Sequence, residues 1–255
     1  MATSTLYTPS GLQVPAITAT QMREVDRLAV EELGPNLYQM MENAGRNLAE
    51  FCRQALGDGW AEKRIVVCAA TGGNGGGGIC AAQHLANHGG GVTLVVADRA
   101  QLDGVPAEQL ALFRHSGGRL TDVEQASALH ADLIVDAVLG YSLNGAPHGV
   151  AAHLIGWMAS TGAPIVSLDV PSGVDSSTGL APGAFVNATT TMTLALPKQD
   201  LDGPAVGQPL LADIGVPRDV YRRIGVDVPQ ELFTEGCHVR LKPSVLDQNL
   251  GGISS

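Results

Sequence analysis

Basic residues are scarce: 15 Lys+Arg stand against 25 Asp+Glu, a formal charge of −10 over 255 residues. Such a chain repels a phosphate backbone and offers no basic stripe to track one, which sets nucleic-acid binding aside. Cysteine is rare as well. Cys52, Cys68, Cys80 and Cys237 are widely spaced, so neither a disulfide framework nor a Cys-x-x-Cys zinc site is legible. No run of about 18 apolar residues occurs, so no membrane partner is expected. The stretch from Met1 to Ser10 lacks a basic flank followed by an apolar core, and the expected address is the cytoplasm. Aromatics make up only 4% of the chain while glycine reaches 32 residues, which suits an α/β domain packed with Ala, Val and Leu around glycine-bearing loops.

The first seventeen residues are polar and unpatterned, and are read as a flexible segment. Thr18-Ala19-Thr20-Gln21 has capping-box spacing, followed by Met22, Val25, Leu28, Ala29 and Leu33 at helical intervals. A helix is expected over 20–33, stopped by Gly34-Pro35, and a second over 37–56 with Met40, Met41, Ala44, Leu48 and Phe51 on one face. From residue 65 the pattern turns to short continuous apolar runs, as buried parallel strands require. Strands are expected at 65–70, 92–96, 133–135, 164–168 and 190–196, alternating with helices at 79–88, 107–115 and 150–160. The reading is a doubly wound three-layer αβα sandwich, Rossmann-like and mostly parallel, with two additional N-terminal helices. The domain is placed at 18–235, with 236–255 as a C-terminal tail.

Thr71 to Gly78 forms a glycine-rich loop after the first strand, and Gly73-Asn74-Gly75-Gly76-Gly77-Gly78 satisfies G-x-G-x-x-G with Asp98 twenty residues beyond. On a dinucleotide-binding reading, helix N-terminal amides hold a pyrophosphate and Asp98 binds a ribose hydroxyl. Against a plain hydride-transfer enzyme stand the missing Tyr-x-x-x-Lys pair and the two helices ahead of the first strand. A glycine turn that merely packs helix against strand is the bland alternative. Two more strand ends open on the same sheet edge, Asp136 to Gly145 and Asp169-Val170-Pro171-Ser172-Gly173-Val174-Asp175. Asn74, Asp136, Asp169 and Ser172 can therefore converge on one crevice, although each acid alone reads equally well as a turn former. Oxygen ligands of this type suit a hard cation. His84 and His88 are four apart on a helix without a third ligand in view, and read as a solvated face. No Gly-x-Ser-x-Gly elbow or clear Cys/His pair points to a nucleophile.

Taken in order, six motifs resemble the YjeF N-terminal domain family, whose enzymes are NAD(P)H-hydrate epimerases and whose animal member is also called apolipoprotein A-I-binding protein. They are Met41-Glu42-Asn43-Ala44-Gly45-Arg46, Gly72 to Leu85, Asp136 to Gly145, Asp169 to Asp175 with Thr178-Gly179, Leu196-Pro197-Lys198, and Asp213-Ile214-Gly215-Val216-Pro217. The resemblance spans about residues 17–217 and accounts for the two leading helices. It implies an isomerase that interconverts the R and S forms of hydrated NAD(P)H, a 6-hydroxy-tetrahydronicotinamide dinucleotide, as substrate rather than cofactor. A separate dehydratase would then restore the cofactor. By the same resemblance, Gly73, Asn74, Gly75, Gly76 and Gly77 with Gly140, Tyr141, Ser142, Leu143, Asn144 and Gly145 bind the substrate. Asn74, Asp136 and Ser172 ligate a potassium ion, and Asp169 faces the reacting ring as the catalytic acid/base. Lys198 reaches either the crevice or solvent. A homodimer is expected.

Three positions depart from the family pattern. Its usual acid is missing at Gly77, Asp98 stands where a lysine is common, and Asn144-Gly145-Ala146 replaces a Lys-Gly-Asp loop of animal members. The alternatives are a diverged enzyme doing acid/base chemistry on another small substrate, and a non-catalytic module binding a nucleotide metabolite or a protein.

Overall fold

The computed structural model describes residues 5–199 and 201–243. Its elements are β1 (Leu6–Tyr7), β2 (Gln13–Val14), α1 (Ala19–Leu28), α2 (Leu37–Leu56), β3 (Arg64–Ala69), α3 (Gly73–Asn87), β4 (Gly91–Val96), α4 (Gly104–Phe113), β5 (Arg119–Thr121), β6 (Leu133–Ala137), α5 (Gly149–Ser160), β7 (Ile165–Leu168), β8 (Thr190–Leu194), β9 (Gln208–Ala212), α6 (Arg218–Arg223), β10 (His238–Arg240) and β11 (Lys242–Pro243). Both leading helices begin with capping boxes, Thr18 with Gln21 and Asn36 with Gln39, each pair satisfying two backbone donors that a helix start leaves open.

One 8-stranded sheet runs in the order β10-β9-β8-β7-β6-β3-β4-β5, parallel throughout except for β10. Alternation along β3 decides the layers. Ile65, Val67 and Ala69 face α2, α3 and α4, whereas Val66 and Cys68 face α5, so the strand is apolar on both sides and reads as a continuous run. A further core under α1 and α6 joins Met22, Val25 and Leu28 to Leu211, Ile214 and Val220. The expected doubly wound three-layer fold is the one observed.

Four differences follow from short or tertiary-stabilised elements. Segment 1–17, expected to be flexible, is tied down from residue 5. Leu6 and Val14 are buried in a small sheet of β11, β1 and β2, and Ile17 bridges Lys198. Two-residue strands carry no periodicity to read. The tail 236–255 likewise supplies β10 to the sheet edge and β11 to β1, so the packed unit reaches residue 243 rather than 235. Residues 1–4 and 244–255 of those two segments lie outside the described residues. Short strands β5 and β9, the latter carrying Pro209, have no counterpart in the sequence reading.

The last difference is the glycine stretch. Gly73 to Gly78 is not a loop but the opening of α3. Each glycine in a helix interior costs about 1 kcal/mol relative to Ala, so packing must compensate. A Cβ on Gly76 would lie 2.3 Å from Met41 Sδ, and one on Gly78 would lie 2.4 Å from Ala137 Cβ. Glycine lets α3 lie directly on α2 and the sheet.

Candidate active site

Strand order reverses beside β3, since β4 and β5 follow on one side and β6 to β9 on the other. At such a switch point the loops leaving β3 and β6 part and open a crevice at the carboxyl edge. A cavity of about 470 Å³ lies there, walled by Thr71, Asn74, Gly77, Gly140, Tyr141 and Asp169. Helices α1 and α2 close its other side through Met22, Asp26, Met40 and Met41. This second wall is the part that sequence reasoning missed; the apolar faces of α1 and α2 carried the signal, but periodicity does not say what such a face covers.

Asp169 follows β7 at φ +68, is buried, and accepts from the backbone N–H of Tyr141 at 3.0 Å. A non-glycine residue in this left-handed region needs compensating contacts, and Asn or Asp tolerates it best. The compensation comes from Lys198, whose ammonium pairs with Asp169 and also donates to the Leu194 carbonyl at 3.0 Å. Lys198 is 1% exposed. Of the two environments open to it in the sequence, the crevice is the observed one. The ammonium lies 5.6 Å from the Tyr141 ring centroid, and the Tyr141 hydroxyl donates to Asp26 at 2.6 Å. Burial raises the Asp26 carboxyl above its ordinary range, and burial with the Asp26 carboxylate alongside raises the Tyr141 phenol.

Asp136, at the end of β6, is fully buried. It accepts from Ser167 Oγ at 2.7 Å, from the Ser172 backbone N–H at 2.9 Å, from Ser172 Oγ at 2.5 Å and from the Val138 N–H at 3.3 Å. Desolvation raises its carboxyl, and these donors oppose the rise. Asn74 differs: both polar atoms of its side-chain amide are buried and have no partner among the described residues. A Cβ on Gly140 would meet Asn74 at 3.3 Å and Asp169 Oδ2 at 3.1 Å, so the three positions converge.

The other expected site residues divide. Ser142 lines the cavity, whereas Leu143, Asn144 and Gly145 do not, and Asn144 and Gly145 are exposed. Gly73 and Gly77 line it; Gly75 and Gly76 are buried within α3, and the Gly76 amide already donates to the Gly72 carbonyl at 3.0 Å. Only the first amides of the helix are therefore open to an anion. Asp98 caps the turn at Ala100, Ala146 packs near Gly183, and neither lines the cavity. Of the three departures from the family pattern, position 77 alone touches the crevice. Asn43 and Asn47 are structural, donating to the carbonyls of Ile214 and Asp213 at 3.1 and 2.9 Å.

An unpartnered buried amide predicts a separable effect. Replacing Asn74 by Ala removes no protein hydrogen bond and relieves an unsatisfied group, so stability should hold or rise by about 1 kcal/mol. Ligand-dependent function should meanwhile fall. Denaturant titration checks the first half, and a clear loss of stability would mean that the amide is satisfied within the fold.

Fold and crevice together define a doubly wound α/β domain with a ligand site at its switch point. The model of the family described as YjeF-related protein N-terminus matches residues 37–200, and the chain belongs to that family. It is similar to the NAD(P)H-hydrate epimerase of Dehalogenimonas lykanthroporepellens, 49% identical over 237 residues that cover 93% of this chain and 97% of that protein. It also resembles the bifunctional NAD(P)H-hydrate repair enzyme Nnr of Escherichia coli, 36% identical over 72% of this chain but only 35% of that enzyme. Yeast ynu0, of known crystal structure, superposes at a TM-score of 0.77 over 89% of this chain and 100% of that one at 22% identity, a likeness of fold.

Proposed function

We propose that this protein is an NAD(P)H-hydrate epimerase interconverting the R and S forms of the hydrated cofactor. The observation that carries the reading is the buried Lys198–Asp169 pair on a cavity wall, in a chain 49% identical to an epimerase over almost its whole length. Inverting the hydroxyl-bearing C6 requires the hydroxyl to leave as water and return to the other face. The ring nitrogen lone pair takes up the resulting charge as an iminium-type species. One proton must be delivered and later recovered. The pair can do both: Asp169 passes a proton from Lys198 to the departing hydroxyl, leaving the pair with one negative charge opposite the cationic ring. Addition of water to the opposite face returns that proton. Burial strengthens the interaction of pair and ring, and the Tyr141 N–H fixes the carboxylate in place.

Gly73 and the other open amides at the start of α3 would face the substrate phosphates. The unsatisfied Asn74 amide oxygen on the cavity wall is a donor that fits a potassium ion, whereas Asp136 and Ser172 lie outside the cavity lining and are hydrogen-bonded to each other, so they would join that ion as ligands only by exchanging those bonds. When bound, such an ion would offset phosphate charge beside the helix terminus. The reading includes a homodimer in the cytoplasm, supplying a separate dehydratase that consumes one epimer.

Mixed R and S hydrates of NADH, incubated with the protein and an S-specific dehydratase, test it. Recovery of NADH from the R fraction beyond the spontaneous rate, faster in potassium than in sodium, is expected. Absence of any acceleration would overturn the epimerase reading in favour of a diverged substrate.

A further inference from the structure

Helices α2 and α3 approach so closely at Gly45 that a Cβ there would lie 2.5 Å from Cys80 Sγ. Glu42 stands one turn back along α2, and His84 stands four residues beyond Cys80 on the same face of α3. Cys80 Sγ is 3.2 Å from Glu42 Oε2, and His84 Nε2 is 2.8 Å from Glu42 Oε1. One ligand atom from each residue falls within 4.8 Å of the other two. The partner that completes a site with His84 therefore comes from α2 and not from His88.

We propose that Glu42, Cys80 and His84 form a binding site for a zinc-class divalent cation that staples α2 to α3. Thiolate, imidazole and carboxylate are the donors a borderline-soft ion takes, and three protein ligands leave a fourth position for water. Hard ions such as magnesium prefer oxygen alone, which separates this site from the oxygen-lined crevice. The competing Glu42–Arg46 pair is weak, because the Arg46 side chain is 69% exposed. On binding, the Cys80 thiol releases its proton to solvent and His84 keeps its proton on Nδ1. The ion would fix two walls of the crevice relative to each other, since Met41 and Ala44 line it from α2 and Asn74 and Gly77 from α3.

Zinc titration of the full chain against a chromophoric chelator tests the site, with cobalt(II) as a spectroscopic stand-in. One equivalent should bind, raise the Tm and, for cobalt, show a thiolate charge-transfer band. Loss of outer contacts to a metal site typically costs about 10–100-fold, so Cys80→Ser and His84→Gln, which remove ligands, should weaken zinc binding by more than about 100-fold. Cys237→Ser removes the exposed thiol and should change nothing. If Cys80→Ser does not fold, His84→Gln, at a partly exposed position, carries the comparison. The proposal is overturned if zinc does not bind, if binding survives both ligand substitutions, or if it disappears with Cys237→Ser.

Discussion

Asp169→Asn should lower epimerisation by about 10²–10⁴-fold, the range expected for loss of a positioned proton carrier. Asn suits the left-handed backbone at φ +68 and keeps the side-chain volume, so the loop geometry survives. What does not survive is charge balance. Lys198, 1% exposed, is left facing a neutral amide, and removing one member of a buried pair costs about 3–5 kcal/mol of stability. Activity must therefore be measured on the folded fraction, below the melting transition of the variant. The double variant Asp169→Asn/Lys198→Met separates the two effects, because removing both charges should restore much of the stability without restoring turnover. Turnover in either variant near the wild-type rate would remove the pair from the chemistry.

The same pair shows where sequence reading stops. Strand ends at Asp136 and Asp169 are legible because continuous apolar runs mark buried parallel strands, and the doubly wound order then brings both ends to one edge. Lys198 sits after the next strand, and nothing local distinguishes a lysine aimed inward from one aimed at water. Its burial follows from packing that unites distant residues: Ile17 pairs with Lys198, and Tyr141 lies beneath the ammonium. The cavity wall from α1 and α2 is hidden for the same reason. The glycine stretch fails differently. Six glycines in eight residues predict a loop by propensity, yet they are the start of a helix because tertiary packing requires the absence of Cβ atoms. A pattern read as a phosphate cradle is thus mostly a close-packing device, with only its first amides free.

That reading makes a graded prediction along α3. A Cβ on Gly75 would lie 1.9 Å from the Ala70 carbonyl oxygen and 2.6 Å from its carbon, both backbone atoms of the turn leaving β3. Neither can move without displacing the strand end, so Gly75→Ala should cost more than about 3 kcal/mol. For a domain of this size that is a Tm lower by roughly 6–12 °C. At Gly77 the obstacle is Leu168 Cδ2 at 2.9 Å, the far end of a flexible side chain, and the next neighbour, Ala44 Cβ, is 3.8 Å away. Gly77→Ala gains about 1 kcal/mol of helix propensity against that small rearrangement and should stay within about 1 kcal/mol of the parent. Thermal melts of the two variants check the contrast, and equal losses would mean that α3 tolerates or rejects side chains irrespective of what each one meets. The geometry also bears on the missing acid. A Cβ at 77 would meet Leu168 and Ala44, with no atom of the Lys198–Asp169 pair within 4 Å, so glycine there changes the packing of the crevice wall without removing a direct contact to the proton-carrying groups.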